Sequence, residues 1–258
     1  MDESNGSGRQ VAALPQDPFL PSGRDDRVRV LGHRGAPGPG RPDNSVAAVT
    51  EALLRGADGA EVDVWLTADG TLVCSHDPVV AGPGRSALAT LPELLAAAQQ
   101  PAGVRLVVEA KPVSDPVVAA RTATALADDL SASAGGAALT LSSFDPALLA
   151  RVRAACADLP VRTALLGDRS APAAVVVQRA HEDGHDEVHL PLAGVLRMPE
   201  VVARARDLGL SVTVWTVNAR PALRWVAGLG VDAVITDDVV TARRELDRAA
   251  AVRETVAA

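Results

Sequence analysis

Residues 56–78 read GADGAEVDVWLTADGTLVCSHDP, and their pattern predicts two short strands joined by a tight turn. The strands cover 59–66 and 71–76, with Ala68-Asp69-Gly70 as the turn. Because side chains alternate along a strand, Glu61 and Asp63 project from one face and the neighbouring valines from the other. We expect the valines to pack on helices and the two acids to face a polar pocket.

Strands and helices alternate along the rest of the chain. Further strands are predicted at 28–33, 104–111, 138–144, 161–166, 187–192, 211–217 and 232–237. Helices are predicted near 44–56, 91–99, 116–131, 146–156, 171–183, 199–208, 220–228 and 238–253. Repeated β–α units suit a closed barrel or an open doubly wound sheet. No G-x-G-x-x-G follows the first strand, and polar residues cluster where strands end. We therefore predict an α/β TIM (β/α)8 barrel with an extra hairpin strand after strand 2.

Composition limits the possible classes of protein. With 48% hydrophobic residues the chain is globular, and no stretch approaches the roughly 18 apolar residues of a membrane span. Residues 1–26 lack the features of a signal peptide, so we predict a flexible tail, a single domain over 27–258 and a cytoplasmic location. The net charge of −7 argues against nucleic-acid binding. Cys74 and Cys156 are interpreted as small core residues without a disulfide.

Two predicted strands carry acidic side chains toward the same pocket. Glu61 and Asp63 would repel each other unless a cation lies between them or one is protonated. Strand 104–111 repeats the spacing with Glu109 and Lys111, the only lysine in the chain. The alternatives are an edge strand in water and a surface Glu–Lys pair, which the apolar flanking residues make less attractive. Three carboxylates would offer the oxygen ligands that Mg²⁺ or Ca²⁺ prefers.

Two histidines follow predicted strands. His33 ends the first strand and His76 ends the hairpin strand, where a barrel enzyme keeps its chemistry. Asp77 could orient His76 or open a turn before Pro78, and the turn is favoured. Imidazole titrates near neutral pH, so two histidines beside a cation can move protons. A cation with arginine and lysine can neutralise a phosphoryl oxygen. These functions together are what phosphodiester cleavage requires.

The chain resembles the glycerophosphodiester phosphodiesterase family in an ordered set of motifs. These are HRG (33–35), PDNS (42–45), residues 56–78, LVVEAKP (106–112), SSFDP (142–146), WTVN (215–218) and GVDAVITDD (230–238). They run in family order over nearly the whole chain after residue 27. The resemblance implies hydrolysis of a small-molecule glycerophosphodiester to glycerol 3-phosphate and an alcohol, on a TIM barrel that holds a divalent cation, Mg²⁺ or Ca²⁺.

The resemblance also implies roles for eight residues. Glu61, Asp63 and Glu109 would hold the cation. His33 and His76 would be the general acid and base, in an order left open. Arg34 and Lys111 would lie near the phosphate, and Trp215 would line the pocket against the glycerol or the leaving group.

Two departures from the family pattern concern the pocket. Asp43 stands where the family usually has glutamate, which puts a direct role for this position in doubt. The stretch between His76 and Leu91 is shorter than usual, and pocket loops select the substrate. The physiological diester, the native metal and the oligomeric state therefore stay open.

Three other features have competing interpretations. The cluster 181–186 looks like a metal site, but its place before a strand predicts a solvated helix end on the opposite face. Gly228-Leu229-Gly230 is interpreted as a turn on that same face. His189 lies within a strand, where a packed histidine is favoured over one that reaches the pocket. The rival functions are another two-histidine phospholipase barrel and a non-catalytic barrel that binds a phosphorylated metabolite.

Overall fold

Eight parallel strands close into a barrel in this computed structural model, which describes residues 27–79, 88–98, 103–133 and 137–257. The barrel strands are β1 (Arg29–His33), β2 (Gly59–Leu66), β4 (Arg105–Ala110), β5 (Ala138–Ser143), β6 (Val161–Leu166), β7 (Glu187–Pro191), β8 (Ser211–Trp215) and β9 (Ala233–Thr236). Each pairs in parallel with its neighbours, and β1 pairs with both β9 and β2, which closes the ring. Strand β3 (Leu72–Cys74) pairs antiparallel with β2 outside the ring. The predicted TIM barrel with a hairpin strand is confirmed.

Helices connect the barrel strands. In chain order they are α1 (Val46–Leu54), α2 (Leu91–Ala98), α3 (Pro116–Ala132), α4 (Pro146–Ala155), α5 (Ala173–Glu182), α6 (Leu192–Arg197), α7 (Val201–Asp207), α8 (Arg220–Leu229) and α9 (Val239–Ala257). Asp115 and Asp145 cap α3 and α4 through side-chain oxygens that accept backbone N–H groups, each followed by proline at the first helical position. None of these described helices is long and apolar enough to cross a membrane.

Three predictions of element bounds were wrong. Helix α6 was not predicted, because six residues that include Gly194 are too short to show a helical period. Helix α1 begins at Val46 rather than near residue 44, with Ser45 as its N-cap, since the Ser45 side chain accepts from the Ala48 N–H. The hairpin strand ends at Cys74, so His76 lies in the loop beyond it. The 1–26 tail and most of the loop between His76 and Leu91 lie outside the described residues.

The strands bury different side chains on their two faces. Val62 and Val64 pack outward with helix residues such as Leu94 and Leu126 in one core cluster. Burial of each such side chain contributes about 1.5–3 kcal/mol. Four buried residues form a small apolar cluster inside the barrel: Leu31, Val107, Ala233 and Ile235. The period of two in β2 therefore separates the hydrophobic layer from the interior, as its sequence predicts.

Gly35 shapes the loop that follows β1. Its φ of +85° favours glycine, and a Cβ there would lie 2.5 Å from the carbonyl carbon of Ala48 in α1. The close approach lets the Ala36 N–H donate to the Ala48 carbonyl at 2.8 Å. The loop thus packs against α1 and holds His33 and Arg34 at the carboxyl end of the barrel.

Candidate active site

One pocket at the carboxyl ends of the strands brings all eight predicted site residues together. Its lining comprises His33, Arg34, Glu61, Asp63, His76, Glu109, Lys111, Ser142, Phe144, Leu166, His189, Trp215 and Ile235. The pocket encloses about 190 Å³. A larger and more open depression of about 590 Å³ on the outer helices α5 and α7 contains none of these residues. The pocket with the convergent titratable groups is therefore the candidate active site.

Three buried carboxylates form the polar centre of the pocket. Ligand atoms of Glu61, Asp63 and Glu109 all lie within 4.8 Å of one another. Burial, reinforced by repulsion from Asp63 and Glu109, raises the pKa of Glu61 well above its usual range. Burial likewise raises the pKa of Glu109. The all-oxygen donor set of the cluster suits a hard divalent cation. Within the described ranges no other group of three or more potential ligands has this spacing.

Lys111 lies against the carboxylates. Its Nζ is 2.5 Å from Asp63 Oδ1 and 2.7 Å from Glu109 Oε1. Burial alone would lower the pKa of Lys111, but attraction from Glu109 and Asp63 outweighs burial, so the pKa is raised and the ammonium is kept charged. The side chain therefore offsets one of the three negative charges, and Arg34, whose Nε lies 3.4 Å from Asp63 Oδ2, offsets a second.

Each predicted catalytic histidine has a carboxylate partner at Nδ1. His33 Nδ1 lies 2.7 Å from Asp237 Oδ1, and His76 Nδ1 lies 2.9 Å from Asp77 Oδ1. The hydrogen bond from His33 lowers the pKa of Asp237, so this carboxylate is the acceptor and Nδ1 carries the proton. In the neutral form of the ring, Nε2 is then the nitrogen that carries the lone pair. Asp77 contributes this contact as well as the predicted turn, in which its carbonyl accepts from Ser75 Oγ at 2.9 Å.

The sequence did not identify Asp237 or Asn218 as residues of the site. Asn218 Nδ2 donates to Asp237 Oδ2 at 2.6 Å, and Asn218 Oδ1 accepts from the Asp237 N–H at 2.9 Å. Asp237 directly follows β9 and Asn218 lies three residues beyond the end of β8, inside the quoted motifs GVDAVITDD and WTVN. Polar residues at strand ends were the available signal, but only the closed ring brings the end of β9 beside β1.

Asn44 is a second residue whose role was missed. It is buried, with a φ of +54°, and it holds Asp63 by two hydrogen bonds. Asn44 Nδ2 donates to Asp63 Oδ2 and Asn44 Oδ1 accepts from the Asp63 N–H, both at 2.9 Å. Its neighbour Asp43 points elsewhere and accepts from Arg34 Nη1 at 3.3 Å. The shorter acid of this motif therefore contacts the arginine rather than the carboxylate cluster.

Replacing Asn44 with alanine is expected to lower the free energy of unfolding by about 1–3 kcal/mol. Asp63 would lose both hydrogen bonds to the Asn44 amide, and alanine tolerates the positive φ at this position less well than asparagine does. Urea denaturation followed by circular dichroism measures the change. Asn44→Gly separates the two causes, since glycine tolerates the backbone but lacks the amide. Stability equal to wild type in both variants would contradict the proposed support of Asp63.

The wall opposite the carboxylates is largely apolar. Phe144 and Trp215 meet edge to face, with ring centroids 5.7 Å apart and an interplanar angle of 80°. Leu166 and Ile235 extend this surface. His189, for which a packed position was favoured, is completely buried and also lines the pocket. His189 is therefore both packed in the barrel interior and part of the pocket wall.

The cluster 181–186 and the turn Gly228-Leu229-Gly230 do not line the pocket. Helix α5 ends at Glu182, and Gly184 follows with a φ of +71°. His185 is buried and its Nδ1 lies 3.0 Å from Thr163 Oγ1, near the amino end of β6. Gly230 caps α8 in the left-handed conformation, which confirms the predicted turn.

Comparison with known proteins places the chain in a family. The model of the glycerophosphoryl diester phosphodiesterase family matches residues 33–100 and 83–241. A probable glycerophosphodiester phosphodiesterase 1 of Mycobacterium tuberculosis is 56% identical over 48 residues, 19% of this chain and 17% of that protein. A glycerophosphodiester phosphodiesterase of Caldanaerobacter subterraneus is 46% identical over 54 residues, 21% of this chain and 22% of that protein. The matched segments thus span about a fifth of these curated relatives.

Solved structures share the fold over a larger part of the chain. A glycerophosphodiester phosphodiesterase from Parabacteroides distasonis superposes with a TM-score of 0.75 at 24% identity, over 87% of this chain and 99% of that one. An Oleispira antarctica phosphodiesterase, solved with the product sn-glycerol-3-phosphate, gives 0.68 at 20% identity, over 86% and 97%. With the barrel on which its motifs lie and a family match that extends from residue 33 to residue 241, this chain belongs to the glycerophosphoryl diester phosphodiesterase family.

Proposed function

We propose that this protein hydrolyses glycerophosphodiesters to glycerol 3-phosphate and an alcohol. The observation that carries the proposal is the single pocket in which two carboxylate-bound histidines flank three buried carboxylates. Family membership supports the reaction class, and the product in the Oleispira structure supports a small phosphorylated alcohol as the ligand. A barrel that only binds a phosphorylated metabolite would not need a pair of oriented imidazoles.

A divalent cation, Mg²⁺ or Ca²⁺, fits the cluster of Glu61, Asp63 and Glu109. Burial, with repulsion from the neighbouring carboxylates, raises the pKa of Glu61 and of Glu109, and a cation bound between them would favour their charged forms. When bound, the cation supplies charge neutralisation at a phosphoryl oxygen. Lys111 and Asn44 position the ligand Asp63 through the contacts described above.

The two histidines divide the proton transfers. One imidazole Nε2 accepts a proton from the attacking water as the new phosphorus–oxygen bond forms, so that water supplies the oxygen gained by glycerol 3-phosphate. The other imidazole, in its protonated form, donates a proton to the oxygen of the leaving alcohol as its bond to phosphorus breaks. Asp237 and Asp77 hold the rings by Nδ1 and stabilise the charge that develops on them. Arg34, half-buried beside Asp63, is positioned to bind a phosphate oxygen.

Treatment with EDTA is expected to lower the release of glycerol 3-phosphate by about 100-fold or more, with recovery on addition of Mg²⁺ or Ca²⁺. The assay supplies a panel of glycerophosphodiesters and measures glycerol 3-phosphate by a coupled enzyme. Glu61→Gln should also abolish the rise in melting temperature that the cation gives the wild type.

Glu182→Gln is the matched control for the metal site, because Glu182 is exposed and lies in the cluster 181–186 at the other end of the barrel. It should respond to metal like the wild type. Full activity after exhaustive chelation would remove the cation from the mechanism, and absence of hydrolysis with every diester and cation would reject the proposed function.

A further inference from the structure

Four residues that line the pocket carry a buried polar atom without a hydrogen bond in the described structure: Arg34, Ser142, His189 and Trp215. Ser142 is 1% exposed and His189 is 0% exposed, and both line the pocket. Ser142 Oγ and His189 Nδ1 are buried without a hydrogen bond in the described structure. An unsatisfied buried polar atom is costly, and proteins keep few of them without a function. Neither Ser142 nor His189 is used in the proposed proton transfers or in the carboxylate cluster.

The other nitrogen of His189 is already engaged below the pocket. His189 Nε2 lies 3.2 Å from Glu187 Oε2, and Glu187 is fully buried. Arg105 Nη2 donates to the same carboxylate, and Thr140 Oγ1 donates to its second oxygen at 3.1 Å. Burial alone would raise the pKa of Glu187, but the Arg105 guanidinium and His189 outweigh it and hold that pKa well below its usual range. Glu187 is therefore a carboxylate that can only accept hydrogen bonds.

The tautomer of His189 follows from this contact. Burial lowers the pKa of His189, so the ring is neutral and carries one proton. Because Glu187 can only accept, that proton is on Nε2, and Nδ1 presents a lone pair. A lone pair repels a phosphate oxygen, which carries no proton in a diester, but it accepts from an O–H group. Ser142 Oγ can both donate and accept. A ligand hydroxyl that reaches both atoms can thus donate to His189 and accept from Ser142.

We infer that His189 Nδ1 and Ser142 Oγ form a hydroxyl subsite that selects the glycerol moiety by its terminal hydroxyl, the one farthest from the phosphate. The inference rests on the proposed function and specifies its substrate. In the ring, β7 lies across from β2, which carries Glu61 and Asp63, whereas Ser142 on β5 is the register partner of Glu109 on β4. With the phosphoryl group at the carboxylates, the far end of a glycerol chain extends past Ser142 toward His189 on β7. Phe144 and Trp215 then cover the carbon atoms of the glycerol.

A pair of substrates that differ in one oxygen atom tests the subsite. The first is a glycerophosphodiester, and the second is the matching propane-1,2-diol phosphodiester with the same leaving alcohol, the same 2-hydroxyl group and no terminal hydroxyl. We expect wild-type kcat/KM to favour the glycerol diester by at least about tenfold, since a site built for a hydroxyl rejects the analogue without it. Affinity for glycerol 3-phosphate over propane-1,2-diol 1-phosphate, measured by calorimetry, should show the same preference without turnover.

Ser142→Ala is the decisive variant, because it removes an oxygen that no protein group uses. We expect the preference to fall to within about threefold, almost entirely by loss on the glycerol compounds. His189→Leu should do the same. Ser143→Ala is the matched control: the adjacent Ser143 Oγ donates to the Ala110 carbonyl at 2.7 Å, does not line the pocket, and its loss should leave the preference unchanged.

The outcomes separate the two proposals. No preference in the wild type, or an equal loss on both compounds in Ser142→Ala and His189→Leu, overturns the subsite and assigns these residues a structural role. Lack of hydrolysis of both diesters rejects the proposed function, while the calorimetric preference still decides the subsite.

Discussion

Replacing His33 with alanine is expected to lower kcat on a glycerophosphodiester by about 10²–10⁴-fold, the usual contribution of a general acid or base. His33 Nδ1 donates to Asp237 Oδ1 at 2.7 Å, which fixes the ring in the wall of the pocket. The side chain is not part of the hydrophobic core, and the variant should fold. Steady-state kinetics give kcat, and calorimetry with glycerol 3-phosphate should show affinity within about threefold of wild type.

Two variants serve as comparisons for His33→Ala. Asp237→Asn keeps the shape of the partner but removes its charge and can turn an amide N–H toward Nδ1, so it should lower kcat and change the pH profile, as expected of a positioning residue. His181→Ala, on an exposed site at the end of α5, should leave kcat unchanged. Turnover that survives His33→Ala would show that the proposed acid–base pair is wrong.

Replacing Arg105 with methionine is expected to reduce the free energy of unfolding by about 3–5 kcal/mol, because Glu187 then remains as a buried charge without its principal partner. Arg105 is 4% exposed, Glu187 is completely buried, and they form a salt bridge in the barrel interior. Urea denaturation of the two proteins at neutral pH measures the difference. The exposed pair Arg55–Glu51, at 2.8 Å on α1, is the matched control, and Arg55→Met should cost only about 0.3–0.5 kcal/mol.

The effect of Arg105→Met should depend on pH with a definite sign. The folded-state pKa of Glu187 is lowered, so its contribution to stability is present above the unfolded value of about 4.3 and is lost as the pH falls toward the folded value. The difference between wild type and variant should therefore shrink below about pH 4. A difference that stays constant from pH 7 to pH 3 would contradict the assignment of Glu187 as the buried anion.

The sequence predicted the barrel and the membership of the pocket because both depend on local patterns. A period of two placed Glu61 and Asp63 on one face of β2, and the same spacing placed Glu109 of β4 beside Lys111, the residue after the strand. The β–α alternation then brought the carboxyl ends of these strands to one edge. Element bounds were less predictable: α6 is too short to show a period, and β3 ends before His76.

The partners of these residues were decided by the tertiary structure alone. Asp237 lies 204 positions from His33, and Asn44 reaches Asp63 only because the loop after β1 folds over the end of β2. The ion pair of Arg105 and Glu187 joins residues 82 positions apart, and it determines which nitrogen of His189 keeps a lone pair.

The sequence by itself thus determined the strands, the face on which each acid lies and the end of the barrel that holds the chemistry, because strand periodicity and parallel crossovers are local properties. The hydrogen bonds that orient His33, Asp63 and His189 were decided by closure of the ring. Closure sets the register between strands distant in sequence, and a register is a property of the whole barrel.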